Sequence, residues 1–142
     1  MVHKTTTMWK GGLTFESDNP SGKTVLMDTN IEGSDERHGL SPKAMMLSSL
    51  AGCSGLDVIS TLDKMKVEID DFKMDVSGEL TEEHPKYYHT VVVDYHFYGA
   101  ELNEKKCERA VNLSVDKYCG VMEMFRRFAK VETNIHFHKS LN

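Results

Sequence analysis

The chain has 142 residues, a length that suits one domain, residues 1–142, with a core of its own. Its net charge of −5, from 17 basic and 22 acidic residues without a basic block, argues against nucleic acid as a partner. No apolar h-region opens the chain and no run approaches the roughly 20 apolar residues of a membrane span, so the sequence points to a cytoplasmic protein with no membrane partner.

Residues 3–10 are threonine-rich and read as a strand. Gly11-Gly12 offers a tight turn into a second strand, Leu13–Ser17. The turn cluster at 18–23 leads to a third strand, Thr24–Asp28, and residues 30–40 read as a polar loop. Ser41-Pro42 then marks a helix start, serine as N-cap and proline at the first helical position. Helix-compatible residues continue to about Lys66. Met45, Met46, Leu47, Leu50, Cys53, Leu56, Val58 and Ile59 cover nearly the whole circumference, as expected of a central helix enclosed by sheet or by a partner subunit. Gly52 and Gly55 flank Cys53 and leave room for another backbone or a substrate.

Val67–Leu80 reads as a strand with a bulge or bend at Asp70-Asp71, and 81–86 as a charged loop. Tyr87–Tyr98 is a long strand expected to be buried on both faces. Asn103 caps a helix that runs through Tyr118, with Cys107, Ala110, Val111 and Ser114 on its inner stripe. Gly120 interrupts it, Val121–Lys130 forms a short helix, and Val131–His138 a final strand. The order β-β-β-α-β-β-α-α-β gives an α+β fold with antiparallel sheets around a central buried helix.

The chemistry rests on the cysteines. Three in a cytosolic chain read as free, catalytic or redox-sensing rather than as a disulfide framework. Cys53 lies in the apolar helix, and Cys119 stands just before a helix, where backbone N–H groups favour an anionic sulfur. A thiolate that attacks a peroxide becomes a sulfenic acid, and a second cysteine condenses with it to a disulfide. Spacing alone leaves open whether the two form such a pair or are small core residues. Cys107, on the amphipathic stripe, reads as structural. The seven histidines show no tight ligand spacing, although His136 and His138 share a strand face, so neither a metal nor another cofactor is expected. Phosphate loops and nucleophile-elbow motifs are likewise not found.

Several segments, in order along nearly the whole chain, resemble the OsmC/Ohr family, closest to its YhfA-type OsmC-like branch. They are Gly12-Leu13-Thr14-Phe15, Ser21-Gly22 with Val25–Asp28, Ser41-Pro42, Gly52-Cys53-Ser54 with Asp57-Val58, and Lys117-Tyr118-Cys119 with Val121. The resemblance implies an intertwined homodimer with its sites at the subunit interface. It also implies reduction of organic hydroperoxides, with Cys53 peroxidatic and Cys119 resolving, and recycling by a dithiol or a lipoylated protein. The better-known peroxidase members carry a glutamate directly after the helix-starting proline and an arginine before the helix. Here Lys43 follows Pro42, and Arg37 is the nearby arginine. Lys43 and Arg37 are therefore candidate electrostatic helpers, because a cation beside a thiolate favours the anion by charge alone. Arg126 and Arg127 offer charge from another direction. The missing glutamate keeps two other readings open: a dimeric module holding an apolar ligand at its interface, and a redox sensor.

Overall fold

The structure is a computed structural model in which residues 1–29 and 36–140 are described. The loop expected over 30–40 thus falls outside the described residues at positions 30–35. The chain folds as two compact units, Met1–Met46 and Leu47–Asn142.

The first unit is built on an antiparallel sheet of β1 (Thr7–Trp9), β2 (Phe15–Asp18) and β3 (Thr24–Met27), in that order. Gly11 and Gly12 take positive φ angles of 101° and 54°, which turns the chain between β1 and β2 as the sequence predicts. Leu40 returns beside β3, its N–H donating to the Leu26 carbonyl at 2.8 Å. The buried Asp28 carboxylate accepts the backbone N–H of His38 at 2.5 Å and faces the Arg37 guanidinium at 3.8 Å.

Helix α1 (Pro42–Lys64) starts where Ser41-Pro42 predicts. Within the second unit only a row at spacing four is buried: Leu50, Ser54, Val58 and Leu62. Leu56 is 76% exposed and Ile59 44%. The sheet of one chain therefore does not enclose the helix on several sides; it buries a single stripe, which leaves enclosure to the other expected route, a partner subunit. Among the described residues α1 is also long and apolar enough to cross a membrane, contrary to the sequence reading. Its buried stripe packs into the hydrophobic core, and Ser54 makes polar contacts there. Gly55 lies against Met74 and Phe72, whereas Gly52 has no heavy atom near its Cβ position. Of the two glycines that flank Cys53, only Gly55 meets such a neighbour.

The helix ends in a Schellman motif. Lys66 N–H donates to the Asp63 carbonyl and Val67 N–H to the Leu62 carbonyl, both at 3.0 Å, with Lys66 at φ 54°. The left-handed turn redirects the chain, so the next strand, β4 (Asp71–Leu80), begins four residues later than its alternation suggests. Its register shift falls at Glu79/Leu80 rather than at Asp70-Asp71.

β5 (Tyr88–Tyr98) is the middle strand of the second sheet, antiparallel to β4 but parallel to β6 (Lys130–His138). The expectation of antiparallel sheets holds for every other strand pair and departs at β5–β6 alone among the described residues, for a topological reason. The connection from β5 to β6 runs through α2 (Glu104–Leu113), a π-helical turn at Ser114–Tyr118 and α3 (Gly120–Arg126), a crossover long enough for a parallel return. β5 buries one face, with Val91, Val93, Tyr95 and Phe97 fully inside, while Asp94, His96 and Tyr98 on the other remain half-buried. It is therefore not buried on both faces within one chain.

Lys66 is a side-chain-bearing residue in a conformation that disfavours Cβ by about 1–2 kcal/mol. Lys66→Gly is expected to raise the thermal midpoint by about 2–4 °C. A calorimetric scan showing no rise would remove the strain assigned to this helix end.

Candidate functional site

Cys53 is carried by α1, one residue before the buried Ser54. Cys119 is the N-cap of α3, and its Sγ accepts the Met122 N–H at 3.3 Å. Its own N–H donates to the Ser114 carbonyl at 2.9 Å, closing the π-helical turn. The sequence places a regular helix through Tyr118; the structure instead has a wider turn there, a feature that recurs at functional sites, with Ser114 and Cys119 buried at its two ends.

These elements bring the two thiols together. The sulfurs of Cys53 and Cys119 and a carboxylate oxygen of Asp57 all lie within 4.8 Å of one another. Asp57 stands four residues after Cys53, on the same helical face. It is the residue that reasoning from the sequence left without a role, although the Cys53/Asp57 spacing on a helix was the available signal.

A buried hydroxyl chain leads to this carboxylate. Tyr95 and Ser54 oxygens are 2.6 Å apart, Ser54 and Ser114 oxygens 2.8 Å, and Ser114 Oγ donates to Asp57 Oδ2 at 3.0 Å. Each hydroxyl has one proton and an ionised carboxylate only accepts. The arrangement that satisfies every member therefore runs in one direction: Tyr95 donates to Ser54, Ser54 to Ser114, and Ser114 to Asp57. Burial, partly offset by the hydrogen bond with Ser54, pushes the Tyr95 phenol up to about 12, which keeps it a donor.

Burial also pushes the Cys119 thiol up to about 12, reinforced by its hydrogen bond with Cys53 and opposed by the Met122 N–H. Cys119 is 4% exposed and Cys53 half-buried, so Cys53 is the more accessible sulfur. Cys107 is fully buried in α2, and burial raises its thiol too, in keeping with a structural residue. Lys43 is exposed in the first turn of α1, and Arg37 faces Asp28. Arg126 and Arg127 both pair with Glu123, and Arg126 also donates to the Val115 carbonyl. A cavity of about 300 Å³ is lined by Asp57, Ser60, Thr61, Lys64, Leu113 and Tyr118; it meets the site through Asp57 and not through either sulfur.

The strand histidines are closer than their spacing suggests. Parallel pairing of His96 with His136 stacks their rings at 4.5 Å, and His96 Nδ1 lies 2.9 Å from His138 Nε2. Burial first, then the charge of His136 and Lys73, holds His96 below the usual histidine range.

The fold and this cysteine site define an OsmC-like protein: residues 33–134 match the OsmC-like protein family, and the chain belongs to it. Protein YhfA of Escherichia coli K12 is 32% identical over 87% of this chain and 89% of its own length. A crystal structure of a hypothetical protein from Aquifex aeolicus VF5 is 29% identical, with a TM-score of 0.79 over 96% of this chain and 98% of that one. The organic hydroperoxide resistance protein OhrB of Bacillus subtilis shares the fold at 16% identity, with a TM-score of 0.64 over 95% and 98% of the two chains.

Removing the Ser54 hydroxyl leaves a buried phenol and Ser114 without their shared partner. Ser54→Ala is expected to cost about 1–3 kcal/mol in urea unfolding. Tyr95→Phe should be milder, since Ser54 then keeps Ser114 as its acceptor; equal stability of Ser54→Ala and the parent would mean that the chain holds nothing in place.

Proposed function

We propose that this protein is a dimeric thiol redox protein that reduces organic hydroperoxides, Cys53 attacking and Cys119 resolving. The observation that carries this reading is the convergence of two sulfurs and one carboxylate within 4.8 Å. The family, whose relatives include a protein named for organic hydroperoxide resistance, supports it.

In the first step the Cys53 thiolate attacks the peroxide O–O bond. A sulfur–oxygen bond forms, the alkoxide leaves and takes up a proton as the alcohol, and Cys53 becomes a sulfenic acid. In the second step Cys119 attacks the Cys53 sulfur; a disulfide forms and the sulfenic oxygen leaves as water. The proton lost by Cys119 balances that water. Asp57 is placed to accept it and pass it to the departing oxygen, the general acid–base part that the absent glutamate leaves open. The raised Cys119 thiol suits a resolving residue, which must not react first. A dithiol or a lipoylated protein then reduces the disulfide by exchange, becoming a disulfide itself. Lys43 and Arg37 enter this reading as electrostatic helpers, Arg37 less so because it already faces Asp28.

Residues 1–142 act as one OsmC-like domain in this reading, supported by solved relatives that span 96% of the chain. Its location is the cytoplasm. A second copy covers the exposed Leu56 and Ile59 of α1, which one chain leaves to solvent. The substitution of Lys43 for the usual glutamate favours the alternative of a ligand-holding module or sensor, and the same assay separates the two.

One equivalent of cumene hydroperoxide per chain should remove two titratable thiols. Cys53→Ser should abolish consumption, and Asp57→Asn should slow disulfide closure about 100-fold while sulfenic acid, trapped by dimedone, accumulates. Consumption by Cys53→Ser at the parent rate would end the peroxidase reading, and no loss of thiols would favour the ligand-holding module. Sedimentation should give twice the chain mass, and Leu56→Glu should shift it to one chain; a parent that sediments as one chain would refute the dimer.

A further inference from the structure

We propose that the reduced Cys53–Asp57–Cys119 cluster is also a binding site for a thiophilic divalent cation, Zn²⁺ in particular, and that the bound ion withholds both thiols from oxidation. Two sulfurs and a carboxylate oxygen within 4.8 Å of one another form the one such group of three among the described residues. Zinc bonds of about 2.3 Å to sulfur and 2.0–2.2 Å to oxygen set tetrahedral ligand separations near 3.5 Å, so closure needs side-chain adjustments on the order of 1 Å. Two thiolates select a soft or borderline ion over magnesium or calcium.

The surroundings of the ligands support the assignment. Ligand atoms in metal sites are commonly held by outer hydrogen bonds, and two of the three have one here. Ser114 Oγ donates to Asp57 Oδ2 at 3.0 Å, and Met122 N–H donates to Cys119 Sγ at 3.3 Å. Ser114 is held in turn by Ser54, and Ser54 by Tyr95. Three protein ligands leave a fourth position open to water or an incoming thiol. Binding must displace protons from thiols, so it strengthens as pH rises. Metal and peroxide would then compete for the same reduced sulfurs, and the disulfide, having no thiolate to offer, would bind neither.

The strand histidines are the rival place for a metal. His96 Nδ1 and His138 Nε2 are 2.9 Å apart, but His136 Nε2 is engaged with Asp94 at 2.8 Å, which leaves two converging nitrogens rather than three.

The test uses the reduced full chain with Zn²⁺ alone, in competition with a chromophoric chelator, and with Co²⁺ as a spectroscopic substitute. One equivalent per chain, a thiolate-to-cobalt charge-transfer band and protection of both thiols from alkylation are expected. Cys53→Ser and Cys119→Ser should each abolish tight binding, Asp57→Asn should weaken it at least about 10-fold, and the oxidised protein should bind none. One-equivalent binding that survives in the Cys53→Ser/Cys119→Ser double variant would overturn the proposal and move the metal to the histidines. A cobalt complex without a thiolate band would overturn it too. No peroxide is present, so the outcome is separate from the peroxidase assay: thiols that bind zinc yet ignore peroxide end the latter reading alone, and thiols that oxidise yet bind no metal end this one.

Discussion

The second unit depends on one buried polar connection, the directed chain from Tyr95 through Ser54 and Ser114 to Asp57. It joins the middle strand, the long helix and the π-helical turn, three elements far apart in sequence. Inside a protein an unpaired hydroxyl is expensive, so a chain in which each member has its partner fixes one relative placement of those elements. A purely apolar stripe on α1 would pack in several registers; Ser54, between Leu50 and Val58, tolerates only the one that reaches Tyr95 and Ser114.

That constraint also positions the thiols. Ser54 adjoins Cys53 in sequence, and Ser114 holds the backbone of Cys119 through its carbonyl. The same two serines that register the helix against the turn therefore register one sulfur against the other. The chain ends on a carboxylate rather than another hydroxyl, so an acidic side chain stands beside two thiols. Asp57 places an acidic group one helical turn after Cys53, whereas Lys43 stands at the start of the helix.

Much of the architecture was legible locally. Ser41-Pro42 fixes the start of α1, Gly11-Gly12 the first turn, and β-branched and aromatic residues mark β5. Boundaries failed where backbone geometry overrode pattern. Lys66 adopts a left-handed conformation without being glycine, so Val67–Ile69 alternate like a strand but precede it. The π-helical turn was hidden because the apolar spacing of α2 continues smoothly into it. Of the site, the two cysteines were visible through their surrounding motifs, whereas Asp57 read as part of a motif and not as chemistry.

The sequence by itself determined the element order, the helix that carries Cys53, the cap that carries Cys119 and the family to which these motifs belong, because each is written in neighbouring residues. Only the tertiary structure decided that the sulfurs share a site with Asp57, that β6 runs parallel to β5, and that His96 stacks on His136. Those are pairings across 40 or more positions, set by which surfaces bury together, and no local spacing encodes them. Cys53 and Cys119 are 66 residues apart in the chain, and one row of buried side chains on α1 makes them neighbours.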